Sequence, residues 1–130
     1  MRLLLDTHVA LWAVSQPERL HSSITELIVD PSNLNLVSVA SLWEIAIKHA
    51  LKRFASEMPV SASEAQELFD EAGFSLLGVR AAHAIAVETL PLLHADPFDR
   101  LIVAQALSEP LRLVTHDATL AQYSDTVICF

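Results

Sequence analysis

Glycines, cysteines and basic residues are scarce in this chain, and each scarcity excludes a kind of site. The 130 residues include two glycines, so the sequence lacks the glycine-rich loops that bind phosphate in P-loop and dinucleotide-binding proteins. The single cysteine, Cys129, excludes an internal disulfide and a cysteine metal cluster. Eight Lys and Arg residues against sixteen Asp and Glu give a formal net charge of −8, which opposes nucleic-acid binding through a basic surface.

Long apolar runs are also absent. No run approaches the ~20 residues of a membrane span, and Asp6 and His8 interrupt the Leu-rich start of the chain too early for the apolar part of a signal peptide. We therefore expect a cytoplasmic protein that does not contact membranes, with one domain over residues 1–130. Hydrophobic residues still make up 52% of the chain, which predicts a well-filled core or an apolar surface that binds a partner.

Short apolar runs alternate with segments of helical spacing along the whole sequence. This alternation is typical of an α/β fold, and we expect a three-layer α/β/α sandwich with a central, mostly parallel sheet of four to five strands. Strands are predicted at 2–6, 34–38, 74–77 and 111–115, with a last edge strand at 126–129. Helices are predicted at 7–14, 21–29, 39–54, from 61 or 63 to 72, and at 80–89, 97–108 and 117–122.

Four carboxylates follow or overlap the predicted junctions between strands and helices. Asp6 ends the first apolar run, and Glu44 lies early in the helix after the second strand. Asp99 opens the helix at 97–108, and Asp117 follows the fourth strand. Segments just past the ends of parallel strands gather in one crevice, and a crevice lined with carboxylates suits hard divalent cations such as Mg²⁺ or Mn²⁺. Metal-dependent phosphodiester chemistry is therefore the first hypothesis.

Each acid has a simpler structural explanation when it is taken alone. Asp6 and Asp117 are placed to cap the helices that follow them. Glu44 has Lys48 four residues later, which suits an ion pair on a solvated helix face worth about 0.3–0.5 kcal/mol. All four acids follow or overlap a junction at which a predicted strand leads into a helix, so they lie at the same end of the strands. This shared placement favours a metal site over four separate structural roles.

Asp96 and Asp99 must be separated, because both lie at the start of one predicted helix. Asp96 precedes Pro97 and suits the N-cap, which puts Asp99 at the third helical position. We therefore interpret Asp96 as a cap and Asp99 as the side chain that projects towards the strand ends as a metal ligand.

Basic side chains cluster in the long helix at 39–54. Lys48, Lys52 and Arg53 are three of the eight basic residues, and we predict that they form an outward stripe that guides RNA phosphates. Arg100, beside the acid of the later helix, is predicted to pair with a carboxylate or to contact phosphate.

The six histidines form no metal-ligand pattern such as H-E-x-x-H. We interpret them as structural or surface residues. His94 is the least certain of them, because it lies close in sequence to the acids of the later helix.

Four ordered motifs resemble those of PIN domains. Residues 3–7 (LLLDT) look like the opening motif, residues 37–45 (VSVASLWEI) are similar to the segment that carries the family's Glu, and residues 113–117 (LVTHD) match the fourth motif. Residues 96–106 (DPFDRLIVAQA) strongly resemble the third motif of one bacterial subgroup. The motifs span almost the whole chain, and its length looks like that of VapC toxins of type II toxin–antitoxin pairs.

The resemblance implies an endoribonuclease toxin that cleaves RNA phosphodiester bonds by metal-activated water. It implies that Asp6, Glu44 and Asp99 are ligands of Mg²⁺ or Mn²⁺, joined more variably by Asp117. Thr115 would support the acids or the metal-bound water. The partners that the resemblance implies are a cognate antitoxin, an RNA substrate and a second copy of the toxin in a homodimer.

Two other functions stay open from the residues alone. A metal-dependent phosphohydrolase of small nucleotides would use the same acids in a closed pocket, and Lys48 and Lys52 would not matter for long substrates. A non-catalytic metal-binding or partner-binding module would use the apolar content for an interface. Incubation of the purified chain with single-stranded RNA and Mn²⁺, with and without chelator, separates the three.

Overall fold

Five parallel strands form the centre of the molecule, which confirms the α/β fold expected from the alternating pattern. The computed structural model describes residues 1–51 and 58–130. The sheet has the order β3-β2-β1-β4-β5, and each neighbouring pair is parallel. Its strands are β1 (Arg2–Leu5), β2 (Leu34–Ser38), β3 (Ser75–Leu77), β4 (Arg112–Thr115) and β5 (Ile128–Cys129).

Helices connect the strands. They are α1 (Thr7–Ser15), α2 (Ser22–Val29), α3 (Val39–Ala50), α4 (Ala62–Glu71), α5 (Ala81–Ala86), α6 (Pro97–Ser108) and α7 (Ala118–Ala121), with 3₁₀ turns at Pro17–Arg19 and Val87–Thr89. Within the described part of the chain, none of these helices has the length and apolar character needed to cross a bilayer.

Two hydrophobic clusters cover the two faces of the sheet, so that the molecule has the three layers expected. Successive side chains of a strand point to opposite faces, and the run Leu3-Leu4-Leu5 is fully buried because both faces of β1 are covered. Leu3 and Leu5 join one cluster and Leu4 joins the other. The first cluster includes Val9, Ile24, Ile45, Ala65 and Phe69, from α1, α2, α3 and α4. The second includes Ile102, Val103, Ala106 and Leu120, from α6 and α7.

The carboxyl ends of the strands lie at one edge of the sheet, and capping side chains start helices there. Asp6 caps α1 directly after β1, and Ser38 caps α3 at the end of β2 by accepting a hydrogen bond from the Ala40 N–H. Asp117 caps α7 two residues after β4. These junctions bring the start of α1, the start of α3 and the loop after β4 to the same edge.

Several predicted boundaries are corrected by the structure. Helix α3 ends at Ala50, whereas a helix was predicted to 54; residues 52–54 lie outside the described ranges. The helix predicted at 80–89 is divided, because α5 ends at Ala86 and a 3₁₀ turn follows. Strand β3 begins one residue late, since the Phe74 N–H donates to the Phe69 carbonyl and closes the end of α4 around Gly73, whose φ is 80°.

Candidate active site

A cleft of about 760 Å³ opens at the carboxyl edge of the sheet. The four predicted acids, Asp6, Glu44, Asp99 and Asp117, all line it, so the structure brings together side chains that are far apart in sequence. The rest of the lining consists of His8, Val9, Trp12, Arg19, Lys48, Asp96, His116 and Ala118.

Asp6 is both a helix cap and a member of the cleft. Its Oδ1 accepts a hydrogen bond of 2.8 Å from the Thr7 N–H, and its Oδ2 accepts one of 2.8 Å from the Thr115 hydroxyl. Burial raises the pKa of Asp6, the hydrogen bonds from Thr115 and Thr7 oppose that rise, and the charge of Glu44 adds to it. The capping explanation and the functional one are therefore compatible, because each oxygen has its own donor.

Glu44 is buried in the second turn of α3, with 3% of its surface exposed. Its Oε2 accepts a hydrogen bond of 2.8 Å from Lys48 Nζ, so the i,i+4 pair exists inside the cleft and not on a solvated face. The Thr7 hydroxyl lies 2.8 Å from both Glu44 Oε1 and Ser41 Oγ. Since a carboxylate only accepts, Thr7 donates its single proton to Glu44, and Ser41 donates to Thr7.

Asp99 has a strongly perturbed carboxyl group. It lies in the first turn of α6, whose N-cap is Asp96 as predicted: Asp96 Oδ1 accepts from the N–H groups of Phe98 at 2.8 Å and of Asp99 at 3.3 Å. Burial and charge repulsion together raise the pKa of Asp99 to about 8. Burial is the largest cause, and four carboxylates add to it by repulsion, namely Asp6, Asp96, Glu44 and Asp117 in decreasing order.

Thr115 links two of the acids. Its buried hydroxyl donates to Asp6 Oδ2 and accepts a hydrogen bond of 3.0 Å from the Asp117 N–H. Asp117 caps α7 through Oδ1, which accepts from the Thr119 N–H at 2.9 Å. Burial raises the pKa of Asp117, but the hydrogen bonds from Thr119 and His94 outweigh that effect and lower it overall. The contacts of Thr115 are those that a residue supporting the acids needs.

His94 lies among the acids, whereas the sequence analysis grouped it with the structural or surface histidines. Its Nε2 is 2.9 Å from Asp117 Oδ2 and 3.4 Å from Asp99 Oδ2. One ligand atom from each of the three residues lies within 4.8 Å of the others, which is compatible with a shared ion. The sequence signal that could have found it is its position two residues before the Asp96 cap, where His94 Nδ1 accepts the Asp96 N–H at 3.1 Å.

The basic residues divide into three groups. Lys48 lies at the cleft beside Glu44, as described, while Lys52 and Arg53 lie outside the described residues. Of the two roles expected for Arg100, pairing with a carboxylate is not found among the described residues; its guanidinium donates to the carbonyls of Pro91 and Val87 and to the Tyr123 hydroxyl.

Arg19 and His116 line the cleft, and the sequence analysis did not single out either as a site residue. The Arg19 guanidinium lies 4.4 Å from the centre of the Trp12 ring, and His116 packs edge-on against the same ring. His116 Nδ1 also contacts the Phe130 carbonyl. Trp12 therefore organises a cationic and aromatic rim beside the acids.

The donor set fits a hard divalent cation. The four acids offer carboxylate oxygens, which are the ligands that Mg²⁺ and Mn²⁺ prefer in proteins. Burial and, after it, repulsion from the neighbouring carboxylates raise the pKa of Asp99, and a bound cation would relieve that repulsion. The residues present therefore suit a metal, and without one the cluster is electrostatically costly.

Comparison with known proteins places this arrangement in context. A family model described as the PIN domain matches residues 3–125. The chain is 32% identical over 122 residues to Ribonuclease VapC22 from Mycobacterium tuberculosis. The aligned region covers 93% of this chain and 91% of that protein. The fold is similar to VapBC2 from Rickettsia felis bound to promoter DNA, with a TM-score of 0.67, 17% identity and coverage of 100% and 98%. It is also similar to DNA-bound VapBC from Salmonella typhimurium, with a TM-score of 0.66, 13% identity and coverage of 100% and 97%.

Proposed function

The chain belongs to the PIN-domain family, and on that premise we propose that it is a metal-dependent endoribonuclease, the toxin of a toxin–antitoxin pair. The observation that carries the proposal is the convergence of Asp6, Glu44, Asp99 and Asp117 on one cleft. The relative at 32% identity is itself named a ribonuclease, which supports the same reaction class. We further propose that residues 1–130 form a single PIN domain and that the protein acts in the cytoplasm.

The four carboxylates would hold Mg²⁺ or Mn²⁺. When bound, such a cation supplies positive charge for the phosphate oxygens and lowers the pKa of a coordinated water, which provides the nucleophile for hydrolysis of the RNA phosphodiester. Asp6 and Glu44 are held by donors on α1, α3 and β4, so their oxygens are oriented before substrate arrives. Burial and the neighbouring carboxylates raise the pKa of Asp99 to about 8, and the carboxylate form of Asp99 would be the one that holds the cation.

RNA would approach along the side of the cleft that carries Lys48. The side chain of Lys48 is 24% exposed and pairs with Glu44, so its ammonium group remains at the border between the acids and solvent. We propose that Lys48, Lys52 and Arg53 contact the phosphates on either side of the cleaved bond. Hydrogen bonds to two carbonyls and to the Tyr123 hydroxyl hold the Arg100 guanidinium within its own chain, and its contact with RNA phosphate stays a prediction.

A protein partner is proposed on two grounds. The structural neighbours named above are VapBC proteins, and a further structure of similar fold is a toxin–antitoxin complex from Klebsiella pneumoniae. In this chain an apolar groove of about 260 Å³ lies beside α3 and α6, and Trp43 at its edge is 60% exposed. Exposed aromatic surface of this kind is typical of protein interfaces. We propose a cognate antitoxin and a second copy of the toxin as the partners.

The test is cleavage of RNA by the purified, partner-free chain. Single-stranded RNA is incubated with the chain in Mn²⁺ or Mg²⁺, with and without chelator, and with Asp6→Ala as the inactive control. The proposal expects internal cleavage by the wild type that needs metal and is lost in the variant. Hydrolysis of small nucleotides without cleavage of RNA would instead indicate a phosphohydrolase. Metal binding without any hydrolysis would indicate a non-catalytic module.

A further inference from the structure

His94 is presented to the acids by a braced loop. The segment that precedes α6 is held by Arg100, which donates to the Pro91 carbonyl at 3.0 Å and to the Val87 carbonyl at 3.1 Å. The Tyr123 hydroxyl accepts the His94 N–H at 3.0 Å and a second hydrogen bond from Arg100 at 3.3 Å. The backbone of His94 is thereby fixed to both α6 and the region after α7.

The hydrogen bonds of the imidazole determine where its proton is. His94 Nδ1 accepts the backbone N–H of Asp96 at 3.1 Å, and a backbone N–H can only donate. The proton of the neutral ring is therefore on Nε2. From there it points at Asp117 Oδ2 at 2.9 Å, with Asp99 Oδ2 at 3.4 Å.

The position of this proton distinguishes two possible roles of His94 beside Asp99 and Asp117, which are metal ligand and hydrogen-bond donor. A metal ligand at Nε2 would need a free lone pair there, which moves the proton to Nδ1, where the Asp96 N–H already points. A hydrogen-bond donor needs no such rearrangement. Asp117 Oδ2 still has a second lone pair for a cation when it accepts the hydrogen bond from His94.

We propose that His94 is a positioning residue that orients Asp117, and with it Asp99, for the divalent cation, and that it does not bind the cation itself. The inference rests on the proposed metal-dependent function. On the α6 and α7 side of the cleft, His94 donates a hydrogen bond to Asp117. On the other side, Thr7 donates to Glu44 and Thr115 donates to Asp6 in the same way. Donors of this kind to metal-bound carboxylates fix the orientation of the ligand.

The first test locates the proton directly. Nitrogen-15 NMR of the wild-type imidazoles is recorded without metal and then with saturating Mg²⁺, which is diamagnetic. His94 is assigned by the loss of its signals in His94→Gln. We expect a protonated Nε2 and an unprotonated Nδ1 in both states. Loss of the Nε2 proton on addition of Mg²⁺ would make His94 a ligand and overturn the proposal.

The second test measures metal affinity by calorimetry for Mg²⁺ and Mn²⁺ separately. Removal of the donor in His94→Leu is expected to lower the affinity for both ions by a similar factor of about 10–100, as is usual for residues that orient metal ligands. His94→Gln keeps a donor near the position of Nε2 and is expected to recover part of the affinity. His21→Asn, in the exposed cap of α2, is the matched control and is expected to bind both ions like the wild type.

The outcomes separate the inference from the function on which it rests. Equal affinities of wild type and both His94 variants would overturn the positioning role and leave the metal centre intact. A loss of Mn²⁺ affinity far larger than the loss of Mg²⁺ affinity would indicate a nitrogen ligand, because imidazole favours Mn²⁺ and later metals over Mg²⁺. A wild type that binds neither ion would overturn the proposed function itself. If His94→Leu does not fold, the NMR result and His94→Gln decide the question.

Discussion

Two imidazoles of this molecule share one hydrogen-bonding pattern and lie in opposite electrostatic surroundings. His83 is fully buried; its Nδ1 accepts the Arg80 N–H at 3.0 Å, and its Nε2 lies 2.7 Å from Glu109 Oε2. His94 repeats this pattern with the Asp96 N–H and Asp117. The carboxylate of Glu109 also pairs with the Arg80 guanidinium, whereas the carboxylates around His94 face one another across the cleft.

The comparison shows that a histidine with this hydrogen-bonding pattern does not by itself create a candidate metal site. At His83 the partner acid is a single carboxylate with a cation beside it, and the hydrogen bond from His83 lowers the pKa of Glu109. At His94 several acids share one space, and the pKa of Asp99 rises to about 8. The negative charge beside His83 is balanced by groups of the chain itself, whereas the acids around His94 need an external cation to balance their charge.

The largest expected difference between the two regions comes from neutralising one acid in each. Asp99→Asn is expected to reduce RNA cleavage by about 10³-fold or more, since metal catalysis contributes several kcal/mol to the barrier. The same change is expected to raise the melting temperature of the metal-free protein, because an amide neither places a charge in the cleft nor takes up a proton on folding. Glu109→Gln is expected to lower the melting temperature and leave cleavage unchanged. A lower melting temperature of metal-free Asp99→Asn would show that Asp99 is a structural residue.

Replacing the buried imidazole of His83 tests the region that is expected to affect stability and not metal binding. His83→Phe keeps an aromatic ring but leaves the Arg80 N–H without its acceptor and removes one of the two partners of Glu109, which is expected to lower the free energy of unfolding by about 1–3 kcal/mol. Metal affinity is expected to stay at the wild-type value. Chemical denaturation and calorimetry of the same preparation measure both quantities. A variant with weakened metal binding and unchanged stability would reverse the roles assigned to the two histidines.

The two regions are expected to respond to pH in opposite directions. The folded-state pKa of Asp99 lies above the ordinary value of 3.8, so its contribution to the stability of the metal-free protein falls as the pH rises from 3.8 to about 8. The folded-state pKa of Glu109 is lowered, so its contribution is present above the ordinary value of 4.5 and is lost as the pH falls below it. Melting temperatures across this range, for the wild type and the two neutral variants, separate the contributions. An unaltered pH profile in Asp99→Asn would contradict the assignment.

The smallest expected effect comes from one hydroxyl that supports the acids. Thr115→Val removes the donor to Asp6 and is expected to lower stability by about 0.5–1.5 kcal/mol and to raise the pKa of Asp6 further. Thr115→Ser keeps the hydroxyl and is the matched control. Carbon-13 NMR of the Asp6 carboxyl group during a pH titration measures the shift. An Asp6 pKa that is the same in Thr115→Val and Thr115→Ser would show that the hydrogen bond does not orient this acid.

Local patterns predicted most of the fold and the four acids. Strand β1 is readable because burial on both faces produces the run Leu3-Leu4-Leu5, and the bounds of α6 are readable because Asp96 and Pro97 form a cap. The acids were found because strand ends in a parallel sheet share one edge.

The missed features depend on contacts between distant segments. His94 reaches Asp117 across 23 residues, and the loop that carries it is held by Tyr123, 29 residues away from His94. Arg100 has partners up to 23 residues away, so its position beside Asp99 in sequence gave the wrong partner. Side chains in loops have no periodicity that indicates where they point, and only the folded chain determines it.

The central claim is that four carboxylates from separate elements bind one kind of cation in the cleft. The most direct measurement is anomalous diffraction from crystals of the chain soaked in Mn²⁺, recorded at the manganese absorption edge. The account predicts a peak in the cleft, bonded to carboxylate oxygens of Asp6 and Asp99. A cleft without a peak in crystals that hold manganese elsewhere would contradict it.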